Sequence, residues 1–168
     1  MTLREQFLDG MSNTACTVTV VTTDGAAGRH GATVSAMASV SADTPQPTLL
    51  VCMNQTSATA QAIKTNGVFC VNILRDDQSE ISDCFAKRWK TEDGDKFSSG
   101  DWDADLHGSP RVSNGLVAFG CSLSSWQKVG THYIFFGAVQ EVSLAEEGLP
   151  LLYANRTYSS PVAIHAKR

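Results

Sequence analysis

Residues 116–144, LVAFGCSLSSWQKVGTHYIFFGAVQEVSL, decide the fold. Leu116 to Gln127 reads as a strand with Val117, Phe119, Cys121 and Leu123 on one face, the two-residue period of a half-buried strand. Gly130 is a turn, and His132 to Leu144 is a second long strand rich in aromatic and β-branched residues. The same signal recurs outward from this pair. Ala15–Thr23 (ACTVTVVTT), Gly31–Ser41 (GATVSAMASVS), Thr48–Asn54 (TLLVCMN), Val68–Leu74 (VFCVNIL) and a short Leu151–Ala154 all read as strands. Asp24 to Gly28, Asp43 to Pro47 and Gly148-Leu149-Pro150 supply the turns.

Helices are few and short. Thr2 to Asn13 places Leu3, Phe7, Leu8 and Met11 at helical spacing. Ser57 stands as an N-cap whose hydroxyl would accept from the first free amides of a helix over Ala58 to Thr65, and Gly67 ends it. Asp76 or Asp77 opens another, with Ile81, Cys84 and Phe85 on one face. Lys87 to Pro110 is charged, glycine-rich and marked by Trp89, Phe97 and Trp102, and is expected to hold little regular structure. Strands that do not alternate with long helices argue against a parallel α/β sheet. They favour one mainly β domain over residues 1–168, a closed antiparallel barrel with short peripheral helices.

Composition narrows the function. The 168 residues are 42% hydrophobic and 18% charged, with a net charge of −4, a globular balance that points to neither a nucleic-acid nor a membrane-surface partner. The first residues carry no apolar signal core, so a cytoplasmic protein is expected. Five cysteines, Cys16, Cys52, Cys70, Cys84 and Cys121, lack close pairing, so they read as small buried hydrophobes in a reducing compartment and no metal site is expected. No dinucleotide-binding G-x-G-x-x-G, P-loop, H-E-x-x-H or G-x-S-x-G is present.

Three features carry chemistry. The first is Thr33-Val34-Ser35-Ala36-Met37-Ala38-Ser39-Val40-Ser41, where small residues let a flat molecule lie against the backbone and hydroxyls bond its polar edge. A strand facing water would have the same composition. The second is Asn54 to Thr59 ahead of a helix, where free amides and the dipole suit a phosphate, or where a plain cap stands. The third is His132 after a glycine turn, at the mouth end of an apolar strand.

In this order the features resemble the flavin reductase family built on the flavin-binding split barrel. The likeness is nearest to the small reductase components of two-component flavin monooxygenases such as 4-hydroxyphenylacetate monooxygenase. It rests on VTVVTTDG (18–25), GATVSAMASVS (31–41), TLLVCMNQTSAT (48–59), GVFCVNIL (67–74), Phe85-Ala86, Lys96-Phe97, Gly130-Thr131-His132 and PLLYANRTY (150–158). The resemblance implies a six-stranded Greek-key barrel, a homodimer, and FMN or FAD near the dimer interface, reduced by NADH or NADPH. Carried over by position, Thr33, Val34, Ser35 and Ala36 line the isoalloxazine. Ser39, Val40 and Ser41, with Asn54, Ser57 and Thr59, surround the ribityl chain and phosphate. Phe85 and Ala86 close over the cofactor, and His132 serves the nicotinamide and flavin. The expected activity is supply of reduced flavin to a monooxygenase. The alternatives are a bound flavin passing electrons to a cobalt corrinoid or ferric chelate, and a flavin-binding protein without turnover.

Overall fold

The computed structural model describes residues 1–164; of the four scattered histidines, His165 lies outside them. In chain order the elements are α1 (Leu3–Ser12), β1 (Cys16–Thr17), β2 (Thr19–Thr23), β3 (His30–Val34), β4 (Met37–Ser41), β5 (Thr48–Asn54), α2 (Ala58–Asn66) and β6 (Val68–Ile73). Then come α3 (Ser79–Phe85), a 3-10 turn at Lys96–Ser99, β7 (Trp102–Ala104), β8 (Pro110–Val112), β9 (Val117–Val129), β10 (His132–Leu144), β11 (Leu152–Ala154) and β12 (Thr157–Ser159).

The principal sheet is antiparallel, in the order β3-β2-β6-β9-β10-β5-β4. Its centre is the expected pair β9 and β10, joined at Gly130, whose φ of 55° lies in the left-handed region. The count is seven rather than six because the Gly31–Ser41 run bends. Its first half, β3, pairs with β2 at one edge, and its second half, β4, pairs with β5 at the other. Only Ser35 and Ala36 separate them, and Cys52 N donates to Ala36 O at 2.9 Å. One continuous segment therefore joins both edges of the sheet and closes the barrel; counted once, the bent run restores six strands.

Phe69, Phe135, Val51, Val71, Ile63 and Cys121 fill the barrel, with Phe119 and Leu123 packed against them. Gly137 leaves room for the Phe69 ring, since a Cβ there would lie 2.5 Å from Phe69 Cζ. A second core of Val18, Val20, Leu74, Ile81, Cys84, Phe85, Phe97 and Val112 sits between the outer barrel wall and α3. β2 is buried on both faces for this reason, and its threonine hydroxyls satisfy backbone carbonyls: Thr19 Oγ1 donates to Val34 O at 2.6 Å and Thr23 Oγ1 to Val68 O at 2.7 Å.

Several expectations change. The Ala15–Thr23 stretch divides, because β1 leaves the barrel to pair with β11, which pairs with β12 in a small second sheet. The 87–110 segment contains structure after all: β7 and β8 form a hairpin whose Trp102 packs at 5.2 Å on Phe85. Gln78, not Asp76 or Asp77, precedes α3. Helix α1 has the capping box Thr2–Glu5, yet none of its residues is buried; Leu3, Phe7, Leu8 and Met11 are all exposed. The five cysteines are free thiols on the strands and helix foreseen, with Cys70, Cys84 and Cys121 buried and Cys16 and Cys52 half-buried. Among the described residues no helix is long and apolar enough to cross a membrane.

Candidate functional site

A cleft of about 340 Å³ opens where the bent strand crosses the end of β5 and the start of α2 and β10. Thr33, Val34, Ser35, Ala36, Asn54, Ser57 and His132 line it together, although up to 99 positions separate them in sequence. The bend supplies the floor. Ser35 and Ala36 are exposed there, and Thr33 is held by its own hydroxyl, which donates to Ser82 O at 2.7 Å. Thr33 is thus an anchor between β3 and α3, while Ser35 offers an uncommitted hydroxyl.

The far wall is built for an anion. Ser57 occupies the N-cap position of α2, but its side chain makes no capping bond, contrary to the expected cap. Its hydroxyl is left to the cleft, and the first-turn amides of Ala58 to Ala60 have no partner within the helix. Asn54 Oδ1 accepts from Thr56 N and Thr56 Oγ1, both at 2.9 Å, which fixes the carboxamide and leaves Nδ2 as a donor. His132 stands across from Asn54 in the β10–β5 register, and its Nδ1 lies 3.1 Å from Thr131 Oγ1. Gln55 N donates to Thr131 O at 2.9 Å, which ties the Gly130 turn to the segment that leads into α2.

Other expected residues lie elsewhere. Thr59 is 2% exposed, turned into the barrel-facing side of α2, so only its backbone is at the helix start. Phe85 is 3% exposed and sits beneath Gly31 in the second core, so its side chain supports the floor rather than closing over a ligand. Ser39, Val40 and Ser41 do not reach the cleft, because the bend carries β4 away along the opposite edge. Ala86 lines an adjoining cavity of about 180 Å³ that shares Thr33, Val34 and Ser35.

Residues not foreseen complete the site. Cys52 and Met53 line the cleft between Ala36 and Asn54. Burial pushes the Cys52 thiol up, which keeps it a neutral wall rather than a nucleophile. In the adjoining cavity Tyr158 Oη donates to Asp83 Oδ1 at 2.7 Å and meets Ser82 Oγ at 2.9 Å, and the Arg88 guanidinium lies 5.4 Å over Tyr153. Burial, with a further contribution from Asp83, raises the Tyr158 phenol. The tyrosines come from the tail stretch PLLYANRTY, where β11 and β12 pair Tyr153 directly with Tyr158.

The pieces fit a flavin mononucleotide on physical grounds. A small-residue floor at Ser35–Ala36 would admit a planar ring, and the uncapped Ser57 with the α2 amides would take its phosphate. Among the described residues no group of three or more His, Cys, Asp or Glu is arranged to hold a metal.

Comparison with known proteins agrees. The family model described as "Flavin reductase like domain" matches residues 11–161. The FMN reductase (NADH) RutF of Ancylobacter novellus is 43% identical over 157 residues, covering 92% of this chain and 83% of that one. Among solved structures, nitrilotriacetate monooxygenase component B from Mycobacterium thermoresistibile superposes with a TM-score of 0.86 at 28% identity, covering 98% of this chain and 92% of that one. BorF, the flavin reductase component of a bacterial two-component tryptophan halogenase, superposes with a TM-score of 0.82 at 29% identity, covering 93% and 97%. With the bent closing strand, the helix-start anion wall and a match over most of its length, the chain belongs to the flavin reductase-like family.

Proposed function

We propose that this enzyme is an NADH-dependent FMN reductase that feeds reduced flavin to a partner monooxygenase. The observation that carries the reading is the cleft itself, where a backbone floor, an uncommitted serine and a helix start meet one histidine. When bound, the flavin supplies a hydride acceptor at N5, and the nicotinamide of the donor supplies the hydride from C4.

The protein's share is placement and electrostatics. Ser57, Asn54 Nδ2 and the amide of the exposed Ala58 at the start of α2 would hold the phosphate. The Ser35–Ala36 backbone and the Ser35 hydroxyl would meet the polar edge of the ring system, and Val34 and Met53 would back its apolar part. Thr33 keeps this floor docked on α3 through its bond to Ser82 O. His132 sits at the rim, where its Nε2 makes no hydrogen bond among the described residues and is available to orient the incoming nicotinamide and to offset negative charge on the reduced ring. Hydride transfer needs no simultaneous proton, so His132 is a positioning and charge-stabilising group rather than an obligatory acid.

A homodimer is part of the proposal. It is supported by the unburied apolar face of α1, with Phe7 64% and Leu8 46% exposed, and by exposed Val40 and Trp126 on the sheet. A monomeric mass at micromolar concentration with flavin bound would contradict the dimer. The site itself is tested by Ser35→Trp, which fills the cleft from an exposed position. The variant should keep its melting temperature and lose FMN binding and FMN-dependent NADH oxidation together. Undiminished turnover would remove the cleft from the mechanism.

A further inference from the structure

A third cavity, about 480 Å³, lies beyond Ala86, lined by Arg29, Lys87, Trp89, Lys90, Lys96 and Phe97. It is adjacent to the flavin cleft through the chain itself. Ala86 lines the cavity that shares Thr33 to Ser35 with the cleft, and the next residue, Lys87, lines this one. Lys96 Nζ donates to the carbonyl oxygen of Gly31, the residue before cleft-lining Ala32, so the floor of one site is the wall of the other.

The charge here is unbalanced. The chain as a whole carries −4, yet this cavity gathers four cationic side chains against one lining carboxylate, Asp95, and Asp95 is already held by Arg29 at 2.8 Å. Among the described residues neither Lys87 nor Lys90 has a carboxylate within ion-pair distance. Burial and the neighbouring Lys87 charge both pull the Lys96 ammonium below its usual range, with Asp95 offsetting part of the effect, so an excess of positive charge stands in a concavity. Flat apolar surface lies beside it. Trp89 is 47% exposed, and Arg29 stacks 4.2 Å over the Phe97 ring. Clustered ammonium groups next to an exposed indole suit a phosphorylated aromatic base, with phosphates on the lysines and the base on the ring.

From this we infer that the cavity binds the adenosine diphosphate portion of a dinucleotide whose reactive ring lies in the flavin cleft. The inference rests on the flavin reductase reading for its role, and the portion could belong to NADH or to FAD.

The probe is ADP, titrated calorimetrically into the wild-type protein and into Lys87→Gln/Lys90→Gln, with inorganic phosphate titrated in parallel. Loss of two charge contacts should weaken ADP about tenfold and phosphate far less. Steady-state assays then assign the source. If the portion is the donor's, the double variant raises KM for NADH and leaves reduced nicotinamide mononucleotide unchanged. If it is the flavin's, affinity for FAD falls while that for FMN holds. Equal ADP binding by both proteins, or equal weakening of ADP and inorganic phosphate, would overturn the inference. A wild-type protein that binds ADP but reduces no flavin would instead overturn the flavin reductase reading alone.

Discussion

Replacing Gly31 by alanine tests how the floor of the cleft is supported. A Cβ at position 31 would lie 2.6 Å from Phe85 Cε1 and 3.0 Å from Phe85 Cδ1, where ordinary carbon contacts need about 3.5–4.0 Å. The ring has little room to retreat. It packs edge-on against Phe97 at 5.0 Å and tilted against Trp102 at 5.2 Å, and it is 3% exposed. Overpacking of this kind costs about 1–3 kcal/mol. For a domain of this size that corresponds to a loss of roughly 2–12 °C in melting temperature. Part of the strain is expected to be relieved by moving β3, which would shift Ala32 to Ser35 and weaken FMN binding as well. The check is a double-mutant cycle by urea denaturation with Gly31→Ala, Phe85→Leu and the pair. Leucine removes the offending ring edge, so the pair should cost less than the sum of the singles by about 1 kcal/mol or more. Additivity within about 0.5 kcal/mol would show that Phe85 does not buttress Gly31, and the reasoning would fail.

Two further substitutions separate roles along the chain. Ser57→Ala should leave the melting temperature unchanged, since the hydroxyl makes no cap bond, and weaken FMN by about 1–3 kcal/mol; Thr59→Ala should do the reverse, because that side chain is buried. Fluorescence titration and thermal melting of the two variants read both effects. Asp105 is 7% exposed with Oδ2 unpartnered against the Gly120 backbone, and burial raises its carboxyl above the ordinary 3.8. The folded state therefore holds the proton more tightly than the unfolded one, and stability falls as pH climbs from about 3.8 through the raised value. Asp105→Asn should lose that slope while keeping Oδ1 for His107 N and Ser109 N, and parallel melts that stay parallel across this window would refute it.

The strands of the barrel were legible because their residues alternate or run apolar, as Phe119, Cys121 and Leu123 do on β9. The bend at Ser35–Ala36 was not, since nothing in GATVSAMASVS marks where pairing passes from β2 to β5; that is decided by barrel closure, a property of the whole sheet. The same bend carries Ser39, Val40 and Ser41, which the family likeness sets around the ribityl chain and phosphate, along β5 and away from the cleft. Asn54, Ser57 and His132 were readable from local chemistry, as a helix start and a post-turn histidine. Phe85 enters the site only through the family likeness, which fixes its position in the chain but not the direction of its buried ring. Its partner, Gly31, lies 54 positions earlier. The short strands Trp102–Ala104 and Pro110–Val112 escaped notice because three-residue strands carry no periodicity.

The most direct test of the central claim is anaerobic stopped-flow mixing of the FMN-loaded protein with NADH, following the flavin's visible absorbance. The account predicts bleaching with about one NADH consumed per flavin, since one hydride carries both electrons. His132→Ala should still bind FMN and bleach about 10–100-fold more slowly, the loss expected of a positioning contact. Flavin that binds in the cleft but stays oxidised under excess NADH would contradict the account.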